Sequence, residues 1–243
     1  MARPPARPPR TERRATRDRI VDSAIALFNE QGVAAVTTNH VAEHAEISPG
    51  NLYYHFANKE EIIREAFERV NDAADAIWTA PTAGAPAPTA DVGSFHHMLV
   101  GNLELFAKYA FLARELPALL RADPILRVRY TEIAQRRTRE LEDVLRPFVK
   151  SGLLRDLEDP EDLRALVETA WVLGLFCIPY AETIDTAAPP RTAKARAARL
   201  HEAIERGALL VLHLLRPYLD PLAYTGLVVL VRSQLEAFGA SRG

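Results

Sequence analysis

The chain has 243 residues, 48% hydrophobic and 26% charged, with 30 Lys+Arg against 32 Asp+Glu. That length fits one large or two modest globular domains, in a composition that is neither disordered nor collagen-like. A single cysteine, Cys177, excludes an internal disulfide framework and a cysteine-rich zinc site, and the net charge of −2 argues against a generally basic nucleic-acid binder.

The N-terminus departs from that average. Arg3, Arg7, Arg10, Arg13, Arg14, Arg17 and Arg19 stand against Glu12 and Asp18, a local balance of +5. With Pro4, Pro5, Pro8 and Pro9 among them, residues 1–15 are expected to form a disordered Arg/Pro-rich arm. The arm has no apolar stretch and is not a signal peptide. From Thr16 to Glu30 the pattern turns helical, with Ile20, Ala24, Leu27 and Phe28 on one stripe, and Gly32 takes the C-terminal glycine position. Thr37 caps a short helix running to about Ala45, and Glu46-Ile47-Ser48 makes a tight turn. Ser48 followed by Pro49 then reads as an N-cap with proline at the first helical position, opening a helix to Phe56 that is only about 12 Å long. Leu52 and Phe56 face inward with Val41, Ala42 and Ile47. Asn58 and Glu61 form a capping box that starts the next helix, from Lys59 to about Trp78.

Pro81, Gly84, Pro86 and Pro88 mark a linker over 79–93. Beyond it helices are expected at 94–115, 125–150, 161–182, 192–216 and 221–238, punctuated by Pro117, Pro124, Pro160, Pro189–Pro190 and Pro217–Pro221. The fold class is all-α: an N-terminal three-helix helix-turn-helix domain over 16–62 and a larger helical bundle over 63–243. No run reaches the roughly 18–20 uninterrupted apolar residues that span a bilayer, so a cytoplasmic protein without a membrane partner is expected.

Two short helices joined by a tight turn make the geometry that lays the second helix in a DNA major groove. Thr38, Ser48, Tyr53, Tyr54 and His55 offer hydroxyl or imidazole donors to phosphates, and Lys59 adds a charge. Gly50 permits close approach to base edges, and Asn51 can read one or fill the N3 position. Tyr53 and Tyr54 are adjacent and cannot both face the core, which Leu52 and Phe56 already occupy.

The run Thr37-Thr38, Val41-Ala42, Ile47-Ser48-Pro49-Gly50-Asn51-Leu52-Tyr53-Tyr54-His55-Phe56 and Asn58-Lys59-Glu60-Glu61 resembles the DNA-binding domain of TetR-family regulators. The resemblance implies a homodimer, joined through the C-terminal helices, that binds a double-stranded DNA operator. It also implies that Thr38, Ser48, Tyr53, Tyr54, His55 and Lys59 match phosphate-contacting positions and Gly50 a base-contacting one. Pro49 stands where many members carry a polar residue that reaches a base, so readout would fall more on Gly50, Asn51 and Tyr53.

His40 and His44, with Glu43, fit the H-x-x-E-H pattern of zinc peptidases. That chemistry needs a third ligand and a cleft, and a helix-turn-helix has room for neither, so no metal site is expected. Nor does any nucleophile–base pairing or phosphate-binding glycine loop support a catalytic site or a bound cofactor.

In the larger domain, Phe95, Leu99, Leu103, Phe106, Ala110 and Ala113 share one stripe, and Met98, Leu105, Tyr109 and Leu112 a second. The segment Trp171 to Tyr180 is apolar almost all round. Such surfaces are bundle core or the walls of a ligand pocket. Phe106, Tyr109, Trp171, Phe176 and Tyr180 are the candidate contacts for a largely apolar small-molecule effector. Leu200, Ile204, Ala208, Val211 and Leu215, with Leu227, Val228, Leu230, Val231 and Leu235, are the expected dimer face. Seven arginines between Arg121 and Arg146, interspersed with Glu132, Glu140 and Glu142, read as a solvated salt-bridged face. The expected function is a ligand-responsive DNA-binding transcriptional repressor. The alternative is a DNA-binding scaffold whose C-terminal domain recognises a protein.

Overall fold

The computed structural model describes residues 10–78, 90–155, 159–184 and 192–240. Most of the expected linker at 79–93 and the first nine residues of the expected arm lie outside these. The chain divides into two compact units, one ending at Asn71 and the other starting at Asp72, rather than at residue 62.

The first unit is built from α1 (Arg10–Gln31), α2 (Thr38–His44), α3 (Pro49–His55) and the start of α4 (Lys59–Trp78). Helix α1 begins six residues before the expected start, so residues 10–15 are helix and not arm. The physical reason is that the prolines stop at Pro9, and Arg, Glu and Ala that follow favour helix. Gly32, at φ 79°, ends α1. Ile20, Val21, Ala24 and Phe28 of α1, Val41 and Ala42 of α2, Leu52 of α3 and Phe56 just after it, and Ile62 and Ala66 of α4 are all fully buried. Helices of seven residues do not hold alone in water, so this shared core is what keeps α2 and α3 folded. Arg69 of α4 reinforces it by pairing with Asp18 and Asp22 of α1, at 2.6 and 2.9 Å.

The second unit contains α5 (Val92–Lys108), α6 (Ala110–Ala122), α7 (Pro124–Lys150), α8 (Pro160–Ile184), α9 (Ala193–Leu215), a 3-10 turn over Arg216–Tyr218, and α10 (Pro221–Ala240). The expected helix at 94–115 is two helices, broken at Tyr109, while Pro117 sits inside α6. No Gly or Pro marks that break; Tyr109 leaves helical geometry at φ −114°, ψ 37° and is itself buried. Among the described residues there is no strand beyond one isolated bridge, Leu154 with Leu219.

Helix α8 packs on α6, α7 and α9. Among the described residues it is the one helix whose span Glu161–Ile184 is long and apolar enough to cross a membrane, with mean hydropathy 1.3. No such span was expected from the sequence, whose most apolar region, Ala208 to Val231, is interrupted by Arg216, Pro217, Asp220 and Pro221. Its Leu166, Val167, Cys177 and Ile178 are buried in the bundle, while Val172, Phe176, Tyr180 and Ile184 on the same helix are exposed. Gly207 of α9 allows the closest approach: a Cβ there would lie 2.7 Å from the Cys177 sulfur.

The arginine-rich helix α7 is salt-bridged as expected, through Arg129–Glu132, Arg136–Glu140 and Arg146–Asp143. Arg137 is the exception to a solvated face. It is 2% exposed and paired with Asp75 at 2.5 Å.

Candidate nucleic-acid interface and ligand cavity

The caps that start α2 and α3 decide what the surface of the first unit displays. The Thr37 hydroxyl accepts from the His40 N–H at 3.2 Å, and the His40 Nδ1 accepts from the Thr37 N–H at 3.4 Å. His40 thus works as a capping residue. The Ser48 hydroxyl accepts from the Asn51 N–H at 3.2 Å, with Pro49 at the first helical position. Between the two helices the chain turns through Glu46 in the left-handed region, at φ 54°.

This geometry presents one face of α3 outward. Pro49, Gly50 and Asn51 are exposed, and Tyr53 and Tyr54 are 53% and 43% exposed on either side of buried Leu52. A Cβ on Gly50 would meet nothing within 4 Å, so no packing inside the chain requires a glycine there. The Thr38 and Tyr53 hydroxyls share a hydrogen bond of 3.0 Å. Tyr54 meets His55 edge to face at 5.2 Å, and the Arg13 guanidinium sits 5.0 Å above the Tyr54 ring. Arg17 donates to the His55 carbonyl at 3.0 Å and to Glu65 at 2.6 Å, and stacks 4.1 Å from the Phe56 ring. Partial burial, then Arg13 and Arg17, hold the His55 imidazole below its ordinary value of 6.5. At neutral pH it is therefore an uncharged donor.

Lys59, expected as a charge for phosphate, is largely engaged within the chain. Its Nζ donates to the Val33 and Val36 carbonyls at 2.7 and 2.9 Å, bracing the loop between α1 and α2. One ammonium donor remains. Sequence reasoning also missed Arg13 and Arg17 beside α3. Their spacing of four residues was a legible signal, obscured by assigning residues 10–15 to an arm.

The second unit contains a partly open apolar cavity of about 120 Å³. Helix α5 supplies Phe95, Met98, Leu99 and Phe106, α7 supplies Leu141, Leu145 and Val149, and α8 supplies Leu163, Val167 and Trp171. Phe106 and Trp171 meet edge to face at 6.3 Å, as adjacent walls. The polar fringe consists of Asn102, Arg155 and Tyr218, where the Arg155 N–H donates to the Tyr218 carbonyl at 2.6 Å. Of the five candidate contacts, only Phe106 and Trp171 line the cavity. Tyr109 is buried at the α5–α6 break. Phe176 and Tyr180 point outward at 43% and 51% exposure, and Tyr180 lies beneath the Arg206 guanidinium at 5.9 Å. Residues four apart share a helix face, so Phe176 and Tyr180 belong to one outer stripe and not to the inner one.

A family model for TetR, described as bacterial transcriptional repressor, matches residues 60–226, and one for the N-terminal region of bacterial regulatory proteins of the tetR family matches residues 20–66. The chain belongs to the TetR family. A solved TetR-family transcriptional regulator from Marinobacter aquaeolei is 31% identical, with a TM-score of 0.72 over 90% of this chain and 98% of that one. The regulator TcmR of Streptomyces glaucescens is 29% identical over 66% of this chain and 70% of its own length. IcaR of Staphylococcus epidermidis, a negative transcriptional regulator of a biofilm operon, is 42% identical over 52 residues, 21% of this chain and 28% of its own length. A complex of SmeT with triclosan shares the fold, at 21% identity and a TM-score of 0.55 over 86% of this chain and 94% of that one.

As a TetR-family member the protein is a DNA-binding transcriptional regulator and not an enzyme. The expected dimer stripe needs correction. Ile204, Ala208, Val211 and Leu215 of α9, and Leu227 and Val231 of α10, are buried within this one chain. In a bundle the broadest apolar faces of the last two helices are needed for the chain's own core. The side chain of Leu235 lies outside the described residues. Of the same stripe, Leu200 and Val228 are half-buried and Leu230 is exposed; the other outward apolar residues of this unit include Ile125 and Val128 on α7, Val172, Phe176, Tyr180 and Ile184 on α8, Leu210 on α9, and Leu222 and Val229 on α10.

Proposed function

We propose that the protein is a cytoplasmic repressor that binds a pseudo-palindromic operator as a homodimer and is released by a small apolar effector. The observation that carries the reading is the outward face of α3, where Gly50, Asn51, Tyr53 and Tyr54 stand clear of the core. Thr38, Ser48, Tyr53, Tyr54 and His55 present donors to phosphates there, and Lys59 adds its remaining one. Pro49 offers no donor, and base readout falls on Gly50, Asn51 and Tyr53. The half-sites lie about 34 Å apart, one turn of DNA, or a multiple of it.

The effector reading is supported by the cavity, walled by apolar side chains with a few polar groups at its fringe, the usual make-up of a small-molecule site. Phe106 and Trp171 are its aromatic contacts. An effector releases DNA by binding more tightly to the dimer whose half-site separation does not match the operator. The outer stripe of α8, Val172, Phe176, Tyr180 and Ile184, supports a dimer in which a second copy covers it. Screening apolar small molecules for a raised melting temperature together with operator release tests the effector. A hit that does both supports the reading. Ligands that stabilise the protein while operator binding persists would count against it.

A further inference from the structure

The first unit needs cations near its DNA face, and three of its own are engaged elsewhere. Arg17 is held by Glu65, Arg69 by Asp18 and Asp22, and Lys59 by two carbonyls. Arg13 and Arg14 differ. Both are exposed, and among the described residues neither meets a carboxylate within 4.0 Å. Residues 1–9 contain no Asp or Glu that could pair with them. Arg13 is also held in position: its guanidinium rests 5.0 Å above the ring of Tyr54, on the outward face of α3. A guanidinium stacked on an aromatic ring keeps its N–H fork free for bidentate contact with a phosphate.

We propose that the N-terminal turns of α1 form a second DNA-contacting site, in which Arg13 and Arg14 hold phosphates flanking the half-site read by α3. The proposal rests on α3 being the recognition helix. Arg13 and Arg14 lie within helix α1, so their contact needs no ordering of these residues on binding. Arg19 lies about 120° round the helix from Arg13, at 3.6 residues per turn, and serves as an exposed control.

The test uses the full chain and measures duplex affinity against salt. Each phosphate contact removed flattens the slope of log affinity against log salt by about 0.9. The double variant Arg13→Gln/Arg14→Gln should therefore shrink the affinity loss between about 50 and 200 mM salt by about tenfold per bound protomer. The ratio of specific to non-specific affinity should stay the same, because phosphates carry no sequence information. Arg13→Lys should keep most of the slope, Arg19→Gln all of it, and none of these variants should shift the melting temperature appreciably. An unchanged slope in the double variant overturns the proposal, as does an equal flattening by Arg19→Gln. Phosphate contacts act on any duplex, so the slope is read on a duplex of unrelated sequence as well. If the wild type prefers no sequence, the reading of α3 fails, while the arginine slopes still decide this proposal.

Discussion

Thr38 and Tyr53 join the start of α2 to the outward face of α3 through a 3.0 Å hydrogen bond between their hydroxyls. The bond fixes the ring of an exposed tyrosine, and it leaves one of the two hydroxyls free to donate outward. Tyr53→Phe keeps the ring and removes the oxygen. Stability should fall by about 0.5–1.5 kcal/mol, and operator affinity by about 1–2 kcal/mol for the charge-assisted bond to phosphate. Fluorescence anisotropy with a labelled operator measures the second; affinity equal to wild type would remove Tyr53 from the interface.

Lys59 should report on folding before it reports on DNA. Its Nζ ties down the Val33 and Val36 carbonyls, which no helix satisfies. Lys59→Met should lower stability by about 1–3 kcal/mol, seen in chemical denaturation. A melting curve identical to wild type would mean that the brace contributes nothing and that Lys59 is a surface charge after all.

The contact between α8 and α9 depends on the absence of one side chain. In Gly207→Ala the new Cβ would stand 2.7 Å from the Cys177 sulfur and 2.8 Å from its Cβ. Overpacking of this kind costs about 1–3 kcal/mol, even though alanine is the better helix former. Replacing Gly226, where a Cβ would meet only Val92 at 3.8 Å, should be harmless by comparison. Equal melting temperatures for the two variants would contradict the close approach.

Acid should weaken the first unit through His55. Its folded pKa lies below 6.5, so the unfolded chain takes up the proton first as pH falls. Stability is therefore lost as pH drops through 6.5 towards the folded value, and the loss levels off below it. Burial is the larger cause and the charges of Arg13 and Arg17 add to it. Arg13→Gln should raise the His55 pKa in an NMR titration; no movement would place the guanidinium away from Tyr54 and His55.

The helix-turn-helix was legible because its signals are local. Thr37, Ser48 and Pro49 name the caps, and Leu52 and Phe56 leave no room inside for the tyrosines. The start of α1 was misread because seven arginines and four prolines suggested disorder, although the prolines end at Pro9. In the second unit the failures share one cause. A period of 3.6 says which residues share a face but not what covers that face. Phe106 and Phe176 both looked like pocket walls, yet one lines the cavity and the other faces outward. Ile204 and Val211 looked like interface, yet they are core. The bracing role of Lys59 could not be read, since its partners lie 26 and 23 residues back and are backbone oxygens.

Selection of duplexes from a random pool by the full-length protein tests the central claim most directly. The enriched sequences should contain two inverted half-sites about 34 Å apart, or a multiple of that spacing. The Tyr53→Phe variant should bind them more weakly. A pool that shows no enriched motif, with wild-type protein that is folded and binds DNA, would contradict a sequence-specific regulator acting through α3.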